Sequence, residues 1–495
     1  MRLSVLVKAL SAFRFHGGGR DVRIAGITSD SAAVKEGYLF AAVKGATRDG
    51  HRFIPDAARK GARAVVCEQT WVSRYGVQRL CRRFPRICFI VVDDSRSAVA
   101  RLAAKFYGYP SKKLRVVGVT GTNGKTTLTY LIESVLKRCG HEPAVIGTVN
   151  YRFKDTDRPS TNTTPGPVQL QAMLHEMVCA GVDHLAMEVS SHALDQGRTA
   201  GIRFTSAVFT NLTQDHLDYH HDLETYFQAK AKLFRHLSGS SVAVINRDDP
   251  CGRRLIALSR CKVISYGTDP AADVWAGDIA FSFSGTRFTL HLGKQALTCK
   301  IRLIGLHNVY NVLACIAWAA SERLSLTLVL GALAEFERVP GRLERVGRSR
   351  DISVFVDYAH TEDALNNVLG TLRRIARHRI IVVFGCGGDR DRGKRPKMGR
   401  VVSDLADYAV VTSDNPRWED PRRIIAEIRQ GMSGRKYCVI ADREKAIEKS
   451  LSLAHKGDVV LVAGKGHEQY QIIRDKILPF NDVEVVRRCL QSMSL

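Results

Sequence analysis

Apolar positions along this chain recur in two periods, and the change of period marks the elements. An apolar run from Leu114 to Val119 leads into a segment where Leu128, Leu131, Ile132, Val135 and Leu136 fall at i, i+3, i+4, i+7 and i+8. That pattern predicts a strand followed by a helix, with Gly140 as its stop. Leu3, Leu6, Val7 and Leu10 predict a first helix. Lys8 interrupts this stretch and Arg14 and His16 follow it, so it reads as a helix rather than a secretory signal. His184 to Val189 predicts another strand, and the short runs Val354 to Val356, Ile380 to Phe384, Ala409 to Thr412 and Val459 to Val462 predict four more. Helix-length mixtures of polar and apolar residues separate them, which argues for parallel sheets. No run approaches the ~18 uncharged apolar residues of a membrane span.

The patterning divides the 495 residues into three blocks, up to about Pro110, from Ser111 to about Arg338, and from Val339 onward. An apolar content of 45% over this length exceeds one core, so about three α/β domains are expected. There is no internal repeat and no low-complexity segment. The 12 cysteines are scattered without a CxxC pair, which argues against zinc and fits buried thiols in a reducing cytoplasm. The formal net charge of +25 either favours polyanionic ligands, from nucleotides to nucleic acid, or is a bias spread over solvated faces. Pairs such as Arg373-Arg374, Arg422-Arg423 and Arg487-Arg488 are dispersed, with no basic tail or aromatic interleaving, which supports the diffuse reading.

Residues 121–127, Gly-Thr-Asn-Gly-Lys-Thr-Thr, fall between the predicted strand and helix. Val119 occupies the first glycine position of the longer phosphate-loop pattern, so a shorter GxxGKTT remains. In such a loop, backbone N–H groups and the helix start surround an anion, Lys125 reaches the outer phosphates, and the Thr126 hydroxyl reaches a magnesium ion. A nucleotide triphosphate is therefore expected. Glu188, near the end of its predicted strand, is either a magnesium ligand or a buried acid paired with a lysine or arginine. Residues 210–220 are too densely polar for a simple turn, and Lys230 and Lys232 on the helix that follows read, by themselves, as solvated. In the third block, polar clusters follow all four apolar runs: Asp357 to His360, Gly385 to Arg392, Asp414 to Arg417 and Gly464 to Glu468. Ligands gather at the carboxyl ends of open parallel sheets, so four clusters at corresponding ends indicate a site.

Seven motifs in order closely resemble those of the Mur ligases, in particular the diaminopimelate-adding branch, over nearly the whole chain. They are residues 121–127, Asn-Thr-Thr-Pro (162–165), Met-Glu-Val-Ser-Ser-His (187–192), Asp-His-Leu-Asp-Tyr-His (215–220), Gly-Arg-Leu-Glu (341–344), Asp-Tyr-Ala-His (357–360) and Asp-Asn-Pro-Arg (414–417). The resemblance implies a small N-terminal α/β domain that binds a UDP-sugar (1–110), a central P-loop ATP-binding domain with a parallel sheet (111–338), and a C-terminal Rossmann-like domain that binds an amino acid (339–495). It implies that Asp30-Ser31, Asn162, Thr163, Thr164, Ser190, Gln196 and Arg198 hold a UDP-N-acetylmuramoyl dipeptide. ATP is implied on Gly121, Thr122, Asn123, Gly124, Lys125, Thr126 and Thr127, bracketed by Arg342, Asp357, Tyr358 and His360. Magnesium is implied on Thr126, Glu188, His216 and Lys230, the last carrying a carbamate formed from carbon dioxide (N6-carboxylysine). Lys125, Glu188, His216 and Lys230 are the implied catalytic set. The diamino acid is implied on Arg390, Asp414, Asn415, Pro416, Arg417, Gly464 and Glu468.

The implied reaction joins a carboxylate to an amine through an acyl phosphate, so positioning and cationic stabilisation matter more than a covalent nucleophile. Arg417 is the candidate for the second carboxylate that distinguishes diaminopimelate from lysine or ornithine. Those monocarboxylate diamines, a folate polyglutamate ligase and a nucleic-acid-dependent ATPase are the alternatives. A cytoplasmic monomer without membrane insertion or a nucleic-acid partner is expected. Two positions depart from the family pattern. Ala32 stands where an arginine is usual, which leaves that contact near the UDP group to another basic residue, and Glu362 replaces a proline, which alters only a turn or helix start.

Overall fold

Continuous Val, Ile and Leu runs form strands covered on both faces, as parallel sheets require. The computed structural model describes residues 1–19, 21–45, 48–349, 352–434 and 436–493. Its contacts separate two units, Met1–Gly118 with Gly140–Ala207 and Lys232–Ser241, and Val119–Cys139 with Val208–Ala231 and Val242–Leu495.

In the first unit, five strands lie in the order Arg14–Gly17, Cys88–Val92, Ala64–Glu68, Tyr38–Ala41, Gly26–Thr28. The first pair is antiparallel and the others are parallel. One face packs Leu39, Val66 and Ile90 against Ala98, Val99 and Leu102, and the other packs Phe40, Val65 and Phe89 with Ile54 and Ala57. Asp94 starts the helix Ser95–Phe106 by accepting bonds from the N–H groups of Arg96 and Ser97. The predicted first helix is a single α-turn, Leu3–Leu6, continued by a 3-10 turn, Val7–Ala9. His184–Glu188 runs parallel to Pro143–Ile146, one residue shorter than the apolar run suggests, and antiparallel strands Asn150–Phe153 and Thr156–Pro159 follow.

In the second unit, the helix Lys125–Arg138 buries all five residues of the predicted apolar stripe. Val242–Asn246 pairs in parallel with Lys262–Gly267. Strand and helix then stop alternating, contrary to the sequence reading of this block. Val274–Ser282, Gly285–Leu292 and Gln295–Ile301 form an antiparallel meander. Burial follows a period of two along Val274–Ser282, with Val274 and Ala276 buried before a register shift between Gly277 and Ala280, and the turns of the meander are too short to hold a helix.

The C-terminal sheet has the order Glu344–Ser349, Ile352–Asp357, Val459–Ala463, Ile380–Phe384, Tyr408–Val411, Tyr437–Val439, antiparallel only at its first pair. The four predicted runs are its adjacent parallel strands. Phe355, Val382 and Leu461 pack on Leu365 and Leu369 on one face, and Val354, Val383 and Val460 pack on Ile447 and Val486 on the other. Glu362 begins the helix Glu362–Ile375 after Thr361, whose side chain accepts from Ala364 N–H, so its replacement of proline is accommodated as a helix start. The fully buried Arg443 donates to Asp482 through Nε (2.8 Å) and Nη2 (2.7 Å), clamping the helices Arg443–Ser452 and Asp482–Met493.

Candidate active site

Two glycines let the loop after Thr120 close on its neighbours. A Cβ on Gly121 would lie 1.9 Å from Thr210 Oγ1, and one on Gly124, at φ 86°, would lie 2.4 Å from Asn311 Oδ1. Thr210 Oγ1 donates to Asn123 O (2.6 Å) and Asn211 Oδ1 accepts from Asn123 N–H (2.9 Å), fixing the loop from the side. Lys125 Nζ donates to the carbonyls of Gly121 (3.0 Å) and Thr122 (2.8 Å). Lys230, on the helix Leu223–Arg235, is 1% exposed and donates to the same Gly121 carbonyl at 2.7 Å, with Nζ 4.4 Å from the centroid of the Tyr226 ring. Burial, and then the charge on Lys125, push the Lys230 amine well below the ordinary lysine range, with Asp215 opposing. Of the two lysines that composition alone leaves solvated, Lys230 is thus buried, whereas Lys232 is partly exposed and paired with Asp195 at 2.8 Å.

Asp215 Oδ1 accepts from His216 N–H (2.9 Å), and His216 takes a left-handed φ of 55°. Its Nε2 lies 3.5 Å from Asp215 Oδ2. Although burial pushes the Asp215 carboxyl up, His216, His360 and Lys394 hold it below its usual range. Arg342 Nη2 donates to Thr126 Oγ1 (3.3 Å), its guanidinium lies 4.6 Å from the Tyr358 ring centroid, and its buried Nε finds no acceptor among the described residues. An anionic oxygen fits that unused donor. Asp357 accepts from the N–H groups of Leu343 and Ala359, and burial raises its pKa.

A cavity of about 380 Å³ brings Asn123, Gly124 and Thr127 together with Arg342, Asp357 and the Leu306–Ser321 helix residues His307, Asn308 and Asn311. Its volume suits a nucleotide. Of the other expected ATP residues, Gly121, Thr122, Lys125 and Thr126 belong to the loop beside the cavity without lining it, Tyr358 stacks on Arg342, and His360 Nδ1 lies 2.8 Å from Tyr358 O. Sequence reasoning missed Asn308, Asn311, Asp248 and Asp363, which also line it. Asp363 Oδ2 accepts from Asn123 Nδ2 at 2.7 Å. The available signal was a polar pair at i, i+3 on an otherwise apolar helix.

Three half-buried histidines lie among these elements. Burial first, then neighbouring cations, lower His307 and His360 to about 4 and His467 to about 3. The unfolded chain binds protons near 6.5 that the native state excludes, so acid favours unfolding. Denaturant unfolding should therefore show stability falling from about pH 6.5 towards 4, at up to about 1.4 kcal/mol per pH unit for each such histidine. A flat profile between pH 6.5 and 5 contradicts these depressed values.

In the first unit, Glu188 is one hub of a polar network. Its carboxylate accepts from Thr148 N–H (2.8 Å) and Thr148 Oγ1 (2.9 Å), and its carbonyl accepts from Thr164 Oγ1 (2.9 Å). No lysine or arginine holds it in these bonds, which favours the ligand reading over a buried ion pair. Ser190 N–H donates to Thr164 Oγ1 (3.1 Å), Arg198 Nη1 donates to Thr164 O (2.9 Å), and Arg198 Nη2 donates to Gln196 Oε1 (2.7 Å). Thr163 Oγ1 is 3.1 Å from Thr148 Oγ1, and Asn162 O accepts from Tyr151 OH (2.5 Å). Six of the expected peptide-binding residues thus cluster, with Thr148 as the member that sequence reasoning missed. Ser31 sits apart on the turn Ser31–Ala33, capped by Asp30. Lys60 Nζ donates to the carbonyls of Ser31 (2.9 Å) and Ala32 (3.0 Å), which puts an ammonium beside the turn where Ala32 supplies no charge.

At the carboxyl ends of the C-terminal sheet, Asn415 Nδ2 donates to Glu468 Oε2 (2.8 Å), and Lys465 Nζ donates to Glu468 Oε2 (2.8 Å) and Asn415 Oδ1 (3.1 Å). A Cβ on Gly464 would lie 2.6 Å from Asp414 Oδ2. Burial opposes, but Lys465 and Arg443 hold the Asp414 carboxyl low. Arg417 follows Pro416, takes φ 53°, and donates from Nη1 to Gly388 O (2.8 Å), while Arg390 donates to Asp389 O (3.2 Å). Burial and then the Arg390 charge lower Arg417. Two guanidinium groups that repel each other favour an anionic ligand. The buried Lys465 was missed, and only its place in the cluster after Val459–Ala463 hinted at it.

Comparison with known proteins agrees with this assembly. Family profiles match residues 23–107 ("Mur ligase family, catalytic domain"), 119–319 ("Mur ligase middle domain") and 341–466 ("Mur ligase, glutamate ligase domain"). A protein of Syntrophomonas wolfei named UDP-N-acetylmuramoyl-L-alanyl-D-glutamate--2,6-diaminopimelate ligase is 43% identical over 99% of both chains. One of the same name from Geobacter metallireducens is 44% identical over 100% of this chain and 99% of its own. A solved structure titled as that ligase is 35% identical, with a TM-score of 0.67 over 95% of this chain and 96% of its own. With its motifs in order, its loop and lysines in place and relatives of this identity along its full length, the chain belongs to the Mur ligase family.

Proposed function

We propose that this chain is an ATP-dependent amide ligase that adds meso-diaminopimelate to the D-glutamate of UDP-N-acetylmuramoyl-L-alanyl-D-glutamate in peptidoglycan precursor synthesis. The relatives' names support the substrates. The observation that carries the chemistry is the meeting of Lys125 and the buried Lys230 on one loop carbonyl of the unit that holds the nucleotide-sized cavity. The glutamate carboxylate attacks the terminal phosphoryl group of ATP, giving an acyl phosphate and ADP. The amine then attacks the acyl carbon, inorganic phosphate leaves with the C–O bonding pair, and the proton of the amine passes to solvent. Lys125 and Arg342 stabilise the negative charge that builds in both steps.

The donor set fits magnesium, a hard cation that prefers oxygen ligands. Thr126 and His216 are proposed as its ligands, with the carbamate that a neutral Lys230 amine forms with carbon dioxide, and the ion would neutralise phosphate charge. Glu188, its carboxylate oriented by Thr148, is the metal-binding candidate of its own unit. ATP is proposed on the phosphate loop, the peptide on the Thr164 and Arg198 network with Ser31, and the amino acid on Arg390, the Asp414 to Arg417 turn, Gly464 and Glu468. The proposed domains are 1–110, 111–338 and 339–495, and the spacing of the three family profiles supports them. The reading includes a cytoplasmic monomer that binds no nucleic acid. Among the described residues no helix is long and apolar enough to cross a membrane.

Phosphate release is expected only when ATP, the UDP-linked dipeptide and a diamino acid are all present. No turnover with diaminopimelate, lysine or ornithine defeats the ligase reading, and release that depends instead on DNA or RNA supports the nucleic-acid alternative.

A further inference from the structure

A second cluster of ligand-type side chains lies at the opposite end of the strand that carries Glu188. His184 is the first residue of His184–Glu188, so four residues, or about 13 Å of strand, separate it from the carboxylate at the other end. Asp183 Oδ2 is 2.8 Å from His141 Nδ1, and Asp183 Oδ1 is 2.9 Å from His184 Nδ1. The two imidazole centroids are 4.3 Å apart, and one donor atom from each of the three residues falls within 4.8 Å of the others. We propose that His141, Asp183 and His184 form a site for one divalent transition ion of the zinc type, unrelated to the magnesium chemistry of the phosphate loop.

The sheet supplies the rigidity such a site needs. His184 pairs with Pro143 in parallel register, Asp183 N–H donates to Glu142 O (3.1 Å), and Arg115 N–H donates to Asp183 O (2.9 Å). Glu142 N–H also donates to Asp183 Oδ1 (3.1 Å), an outer bond of the kind that orients a ligating carboxylate. Two imidazoles and one carboxylate suit zinc, copper or nickel rather than magnesium or calcium. The ligands of a tetrahedral zinc lie about 3.4 Å apart, so side-chain shifts of about 1 Å close this triad on an ion. His184 is buried, whereas His141 and Asp183 are partly exposed, so an ion can reach the triad from solvent. Both rings bind as neutral imidazoles, each moving its proton to Nε2, so no oxidant or further reactant is required. The absence of paired cysteines in the sequence rules on thiolate zinc alone and leaves a histidine site open.

Cobalt(II) is the probe, because its visible absorption reports low-coordinate nitrogen ligation. The full chain is titrated in excess magnesium, which fills oxygen-rich sites. One saturable equivalent that zinc displaces is expected, and His141→Gln and Asp183→Asn should each weaken it at least about tenfold. Unchanged far-ultraviolet circular dichroism shows that a variant has folded, and either variant suffices if the other does not fold. No saturable absorption in the parent protein, or equal affinity in a folded variant, overturns the site and leaves the triad a hydrogen-bonded clamp. Neither outcome touches the proposed ligase reaction, which is read from phosphate release.

Discussion

Replacing Lys230 by alanine should lower amide formation at least about 100-fold while leaving the fold intact. Lys230 is buried, and its amine shares the Gly121 carbonyl with Lys125. A lysine held there as an ammonium would put a second cation against the first, at a site meant for an anionic triphosphate. Its depressed pKa gives a neutral amine able to attack the carbon of carbon dioxide and release a proton to solvent, and the proposed carbamate would replace a repulsive cation with an anionic ligand. Removing one group that stabilises developing charge in a closed site typically costs a factor of about 10²–10³. Short carboxylates such as acetate or formate should restore part of the rate, because they return the missing anion to the space that the alanine leaves. The measurement is phosphate release with and without added carboxylate, and full activity in the variant shows that no carbamate is used.

The central features were legible because they rest on local chemistry. A glycine turn between a strand and an amphipathic helix announces a phosphate loop, and Leu128 to Leu136 turned out buried as their spacing predicts. The four apolar runs of the last block are adjacent parallel strands, so the polar clusters that follow them meet at the carboxyl end of one sheet. Less legible was whatever depends on distant pairing. The meander over residues 274–301 is not separable from continued strand and helix alternation by its apolar pattern alone. Asn308, Asp363, Thr148 and Lys465 are polar residues within otherwise ordinary elements, and only tertiary packing brings Asn308 and Asp363 to the cavity, Thr148 to Glu188 and Lys465 to Asn415. Lys230 shows the same limit, since a lysine on an amphipathic helix looks solvated until the loop that covers it is known. The His141, Asp183 and His184 triad is illegible in the sequence, because His141 precedes the strand Pro143–Ile146 and only its pairing with His184–Glu188 brings the three together.

Arg417→Ala should lower kcat/KM for diaminopimelate by about 100-fold and raise the much slower reaction of lysine or ornithine, so that selectivity between the diamines is largely lost. A guanidinium offers a carboxylate two parallel bonds, each contributing about 1.5 kcal/mol or more, and together these amount to about two powers of ten. The side chain is prepared for that role. Its Nη1 is anchored on Gly388 O, its backbone N–H donates to Ile472 O (3.1 Å), and burial and the Arg390 charge outweigh the attraction of Asp414, Glu468 and Asp389. A diamine without the second carboxylate leaves this half-buried guanidinium without its ligand in the parent protein, which is the penalty that rejects it, and alanine removes both the attraction and the penalty. Arg417→Lys keeps the charge but loses the fork, so its selectivity should fall between the two. The decisive observation is the ratio of kcat/KM values for the three diamines. An equal loss with all of them assigns Arg417 to the carboxylate they share, and equal rates with all three in the parent protein end the case for selection by this residue.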